Sequence, residues 1–333
     1  MKRTLTLLLT VIVLAGSSPM RAGSQTRGTA TQRRAISTPE PLPDGVEAKD
    51  VRFYSEGIQC HGKIFTPKGL SADSKTPAVA LAPDWGETAA SIEKYGAHFA
   101  SRGLVAMVID YRGWGRSGGF LQTVDEVKTD DRLRFSQMTA KARIRRKRLI
   151  PREQILDIRN ALYYLQGEPG VDRARVGVWG AGMAGGHVIV IAATDARIKA
   201  AVAQTPVIEG KDTPRKASAP TGDLLLAEQK RARAGQTPSS TRAVADVETR
   251  LALAEYHPFW SVEQIPQKTA VLFVIAEKDA RVNNATNAIA ASKLLKGPTD
   301  IARVPGGPHT QIDSGAAFDT AARAAVEWFL KHL

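Results

Sequence analysis

Two residues late in the chain have the chemistry and the placement for proton transfer. Asp279 and His309 each stand just past a short apolar run, Ala270–Ile275 and Ile301–Val304. Read as adjacent strands, these runs bring both side chains to one sheet edge. An imidazole titrates near neutral pH, and a carboxylate behind it fixes its tautomer and stabilises its charged form. A third acid, Asp84, follows the apolar run Ala78–Ala82 in the stretch APDWGE and converges on the same edge. The other histidines, His61, His98, His187, His257 and His332, lack such placement, and His187, at the start of an apolar helix, reads as packed or capping. No pair of histidines or cysteines has metal-ligand spacing, so neither a metal site nor a cofactor is expected.

The element that must face these groups is Arg175–Thr194, RVGVWGAGMAGGHVIVIAAT. Val176–Trp179 reads as a buried strand and Val188–Ala193 as part of a buried helix, with Gly180, Gly182, Gly185 and Gly186 between them. Glycine tolerates positive φ and close backbone approach, so the turn is tight and the helix presses on the strand. Around this unit strands and helices alternate. Val51–Tyr54 and Gly62–Phe65 predict an opening hairpin; Ala78–Ala82, Leu104–Asp110, Ile198–Ala203, Ala270–Ile275 and Ile301–Val304 predict strands; Ser91–Arg102, Glu153–Leu165, Ala285–Leu295 and Ser314–Leu333 predict helices. The expected fold class is α/β, a mostly parallel sheet with helices on both faces. Two insertions interrupt the rhythm, about 121–150 and 206–264, and together they could cap the C-terminal edge of the sheet. The first carries KARIRRKR from Lys141 to Arg148, read either as a solvated helix face or as an attractor of an anionic substrate or envelope polymer. Helical patterning recurs in the second at Asp223–Arg233.

Several stretches together resemble the α/β-hydrolase superfamily, in its dienelactone-hydrolase-like and prolyl-oligopeptidase-related esterase branch. FASRGLVAMVIDYRGWGRSGG, Phe99 to Gly119, is similar to the helix, strand and glycine-rich loop before the nucleophile elbow of those proteins. VLFVIAEKDARVN, Val271 to Asn283, resembles the strand and loop that supply the acid, and VPGGPHTQI, Val304 to Ile312, the loop that supplies the histidine. The resemblance implies Asp279 as acid and His309 as base, in this fold's order of nucleophile, acid, histidine. Laid on the elbow pattern GxSxG, however, the chain has Gly180 first, Gly182 at the apex and Ala184 last. The nucleophile position therefore has no side chain and can form no acyl-enzyme. Ser91 and Ser117 are displaced alternatives that nothing places at the apex.

The family's His-Gly-aromatic-Gly stretch is replaced by Pro83, Asp84, Trp85 and Gly86, and the resemblance implies that the backbone N–H groups of Trp85 and Met183 form the oxyanion hole. A carboxylate about 4 Å from a developing oxyanion opposes it by roughly 4 kcal/mol at an effective dielectric of 20. Asp84 must point away, be protonated or do something else: Asp84 or His309 activates a water held in the space left by the missing side chain, Asp84 takes over the attack, or it caps the helix that follows. Two functions stay open. One is a dienelactone-hydrolase-like esterase working by non-serine or water-mediated chemistry; the other is a non-catalytic pseudo-hydrolase that binds a small ligand or an anionic partner.

The 333 residues suit one large α/β domain with insertions, and 43% apolar residues suffice for its core. A formal charge of +13 favours anionic partners, but no zinc-finger, RNP or helix-turn-helix signature points to nucleic acid. Lys2 and Arg3, the apolar Leu5–Ala15 and small residues to Ala22 have the three regions of an export signal, about residues 1–22, too short to anchor stably in a bilayer. A Ser-, Thr-, Arg- and Pro-rich linker, 23–46, then leads to the domain at 47–333. The single cysteine, Cys60, can form no internal disulfide. Oligomeric state has no signature.

Overall fold

The structure, a computed structural model, describes residues 41–124, 126–127, 132–208, 222–234, 247–306, 309 and 311–333. The expected export signal and most of the linker lie outside the described residues. Leu42–Leu333 forms a compact unit. Its strands are β1 (Val46–Ser55), β2 (Ile58–Pro67), β3 (Thr76–Ala82), β4 (Val105–Ile109), β5 (Phe120–Thr123), β6 (Ala142–Arg145), β7 (Val171–Ala181), β8 (Ile198–Gln204), β9 (Ala270–Ala276) and β10 (Thr299–Val304). Eight form one sheet in the order β1-β2-β4-β3-β7-β8-β9-β10, parallel from β4 to β10, with β1 and β2 antiparallel at one edge. The helices are α1 (Glu93–Ser101), α2 (Pro151–Gln166), α3 (Met183–Thr194), α4 (Gly222–Arg233), α5 (Val247–Ala254), α6 (Ala288–Ser292) and α7 (Gly315–His332).

The runs without polar interruption are the central strands because both faces of a parallel sheet are covered. Side-chain alternation along β7 sends Val176 and Val178 into one core, with Ile158 and Leu162 of α2 and Val188 of α3, and sends Trp179 into the other, with Tyr95 and Phe99 of α1 and Phe329 of α7. Every central strand therefore ends at the same edge, with its loop held from above and below.

Two expectations are corrected. The helix expected over Ala285–Leu295 shrinks to α6, because asparagine side chains compete with its first turns: Asn283 Oδ1 accepts the Ala285 amide, and Asn284 donates to the Ala276 carbonyl. The basic run at 141–148 is not a solvated helix face. Ala142–Arg145 is a strand paired antiparallel with β5, Arg145 and Arg148 both meet Glu248 on α5, and Arg146 donates to the carbonyls of Ser117 and Gly115. The described part of the second insertion packs along α3, through a 3-10 turn at Pro258–Gln264, and on α2 through α5.

Candidate functional site

The turn between β7 and α3 is built by close approach. A Cβ at Gly180 would lie 2.4 Å from the Ala184 carbonyl, so the helix can begin immediately above the strand only over a glycine. Gly182, at φ 55° and ψ −115°, is the residue before α3; its amide donates to the Gln204 carbonyl, and its own carbonyl accepts from Gly185 and Val207. Thr205, next to it on the β8 side, is buried at φ +40°, a conformation a threonine holds only under constraint.

The space over Gly182 is filled. A Cβ placed there would lie 2.1 Å from Asp84 Oδ1 and 2.2 Å from its Cγ. Asp84 therefore neither points away nor caps the turn that follows it; that turn's Ala89 amide donates to Asp110 Oδ1 instead. Asp84 Oδ1 accepts the Met183 amide at 2.7 Å, which makes it the cap of α3, a helix 99 residues downstream. The loop is held in this pose from the DYRGWGRSGG stretch: Tyr111 donates its hydroxyl to the Pro83 carbonyl, and the Trp114 ring would meet a Cβ at Gly86.

His309 and Asp279 complete the group. His309 Nδ1 donates to Asp279 Oδ2 at 2.7 Å, while Asp279 Oδ1 accepts the amides of Arg281 and Val282. On the other side of the ring, Nε2 stands 3.9 Å from Asp84 Oδ2, an ion-pair separation. Asp279 and His309 are largely enclosed, and the Asp84 side chain keeps 32% of its surface. The structure thus brings Asp84, Asp279, His309, Gly182 and the Met183 and Trp85 amides to one place.

Burial alone would push the Asp84 carboxyl up; the facing His309 and the Met183 amide outweigh it and hold the group below the ordinary carboxylate range. Asp279 is lowered by the same balance, with His309 and two amides against burial. Burial works against the charged form of His309, but its two carboxylates prevail and raise it to about 9. At neutral pH the three side chains form a carboxylate, imidazolium, carboxylate row. One amide of the expected oxyanion hole, that of Met183, is then already bonded to an anion.

Sequence reasoning missed the layer beneath. Tyr95 and Gln204 meet there, and both reach Asp313 Oδ1, which lies four residues past His309. Nearby, buried His61 bridges Asp110 and Asp50. The Ser117 hydroxyl donates to the Asp110 carbonyl and Ser91 to that of Thr88, so both serines serve loop structure. His187 is packed, bonded to Tyr256 and Gln154, and burial lowers it to about 3. Among the described residues no group of three or more His, Cys, Asp or Glu side chains could hold a metal ion. A cavity of about 540 Å³ opens behind Asp279, lined by Arg281, Asn284 and Arg303 among others.

The acetyl xylan esterase (AXE1) family model matches residues 37–210, and the prolyl oligopeptidase family model matches residues 144–333. An uncharacterized 31.7 kDa protein of Escherichia coli, from the traX-finO intergenic region, is 24% identical over 263 residues, covering 71% of this chain and 83% of its own. A hypothetical protein of Pseudomonas aeruginosa has the same fold, with a TM-score of 0.70 at 20% identity, over 89% of this chain and 97% of that one. Acetyl xylan esterase from a Paenibacillus species matches with a TM-score of 0.57 at 20% identity, over 89% and 87%.

Proposed function

Because this chain belongs to the α/β-hydrolase superfamily, in the esterase-like branch of the acetyl xylan esterase and prolyl oligopeptidase families, we propose that it hydrolyses a small molecule with an oxygen of Asp84 as the attacking atom. The observation that carries this reading is the 2.1 Å between Asp84 Oδ1 and the place of a Gly182 Cβ. The carboxylate stands where the family's attacking side chain would begin, with Oδ1 on the Met183 amide and Oδ2 toward His309.

That arrangement favours a saturated carbon over an acyl carbon. An acyl substrate needs the Met183 and Trp85 amides for its own oxyanion, and Asp84 already holds the first of them. A carbon bearing a leaving group needs no such donors. Asp84 Oδ2 forms the new C–O bond as the leaving group departs with its electron pair, giving an alkyl ester on Asp84. Neutralising Asp84 removes one of the two charges that raise His309, so its pKa falls and its proton is released. His309, oriented by Asp279, then takes a proton from water as the water attacks Asp84 Cγ. The oxyanion that develops on Oδ1 meets the Met183 and Trp85 amides, and collapse frees the alcohol and the carboxylate. The leader read in residues 1–22 would place this chemistry outside the cytoplasm.

Single turnover of a haloalkanoate in H2 18O tests the mechanism. The expected result is product alcohol without label and 18O in the Asp84 carboxyl, with all turnover lost in Asp84→Asn. Label in the first-turnover alcohol would mean direct attack by water. Binding without turnover, for alkyl and acyl compounds alike, would establish the non-catalytic alternative.

A further inference from the structure

The ribbon of β5 and β6 stands apart from the main sheet. Its register sets Phe120 opposite Arg145, Leu121 opposite Ile144, Gln122 opposite Arg143 and Thr123 opposite Ala142. Alternation therefore gives it two faces, Phe120, Gln122, Arg143 and Arg145 on one, Leu121, Thr123, Ala142 and Ile144 on the other. The first face is tied to the body: Arg145 pairs with Glu248, and the Arg148 guanidinium lies 5.5 Å from the centre of the Phe120 ring.

The second face is turned outward, with Leu121 66% and Ile144 60% exposed. In the segment leading back to β6, Leu133 and Phe135 are exposed as well, the latter 86%. Arg134, Lys141 and Lys147 are exposed in the same stretch of chain, while exposed Arg143 belongs to the other face. Residues 132–148 hold eight Lys and Arg (132, 134, 141, 143, 145, 146, 147 and 148) and no acid.

We propose that this surface is a reversible docking site for an anionic phospholipid bilayer. Apolar side chains left in water mark an interaction surface, and a dense cationic rim selects the partner's sign. A soluble polyanion would satisfy the rim and leave Leu121, Ile144 and Phe135 wet. A second copy of a chain with net charge +13 would bring like charges together. A bilayer surface covers both: headgroups take the Lys and Arg side chains, and the boundary of the acyl region takes the apolar ones. No helix among the described residues is long and apolar enough to cross a membrane, which leaves these residues the interfacial mode. The proposal is independent of the chemistry at Asp84.

Co-sedimentation of the full chain with vesicles of phosphatidylcholine, with and without phosphatidylglycerol, tests it. The expected result is binding to the phosphatidylglycerol vesicles alone, weakened by salt. Two folded variants, Leu121→Asp/Ile144→Asp and Lys141→Gln/Lys147→Gln, should each bind at least tenfold more weakly, with circular dichroism melts matching the parent. Equal binding by parent and both variants would overturn the proposal, since the leader or another surface would then be responsible. Loss with the charge pair but not with the apolar pair, together with tight heparin binding, would assign the patch to a soluble polyanion. Self-association without lipid, lost in the apolar variant, would assign it to a second copy.

Discussion

Restoring a hydroxyl at the elbow provides the sharpest test of where Asp84 stands. In Gly182→Ser the new Cβ would lie 2.1 Å from Asp84 Oδ1, so the carboxylate must leave the Met183 amide, and the serine must keep a φ of 55°. A strained φ costs about 1–3 kcal/mol, and losing a charge-assisted hydrogen bond roughly 1.5–3 kcal/mol more. The single variant is therefore expected to be less stable by about 2.5–6 kcal/mol. It should also remain inert toward p-nitrophenyl acetate. A displaced carboxylate still within about 4 Å of an acyl oxyanion opposes it by roughly 4 kcal/mol at a dielectric of 20, nearly a thousandfold in rate. Asp84→Gly/Gly182→Ser removes the obstruction and frees the Met183 amide, with His309 and Asp279 in place. That double variant should gain a burst of p-nitrophenolate, labelling by a fluorophosphonate, and His309-dependent release of acetate, none of which is expected of the parent. If Gly182→Ser alone reacts with the fluorophosphonate as fast as the double variant, Asp84 does not occupy the serine's place and the reasoning fails.

Three further outcomes follow from the geometry. The His309 value of about 9 exceeds the ordinary 6.5, so its proton stabilises the fold in full below pH 6.5, and that contribution disappears as pH rises through 9. Its size is at most roughly 3.5 kcal/mol at about 1.4 kcal/mol per unit; urea midpoints measured across this range should decline in the parent and stay flat over the same window in His309→Asn. Asp157, fully buried beneath the glycine-rich loop, accepts from the backbone and guanidinium of Arg112, so Asp157→Ala should cost about 3–5 kcal/mol in chemical denaturation by leaving that buried cation only half-exposed Glu56 and the Ser55 hydroxyl. Gly180→Ala sets a methyl 2.4 Å from the Ala184 carbonyl and should cost about 1–3 kcal/mol, seen as a lower thermal midpoint without loss of secondary structure.

The central strands could be read from the chain because a parallel sheet covered on both faces demands unbroken apolar runs, and Ala78–Ala82 and Ala270–Ile275 are such runs. The placement of Asp279 and His309 past their strands was legible for the same reason: strand ends fix loop origins. The ribbon at 142–145 carried a period of two, with Ala142 and Ile144 against Arg143 and Arg145, but its charge density suggested a solvated helix, and only the distant Phe120–Thr123 segment decides for a strand. Gln204 and Asp313 were out of reach altogether, since their bonds to Tyr95 join residues 109 and 218 positions apart. Asp84 lies between these cases. Its type and its strand end were visible, and so was the missing side chain at Gly182, but the two facts stayed separate. The aim of a loop side chain depends on what holds the loop, here Tyr111 below Pro83 and Trp114 beside Gly86. Once that loop is folded, the gap at Gly182 becomes the reason Asp84 can reach the Met183 amide, because any Cβ at the apex would have shut it out.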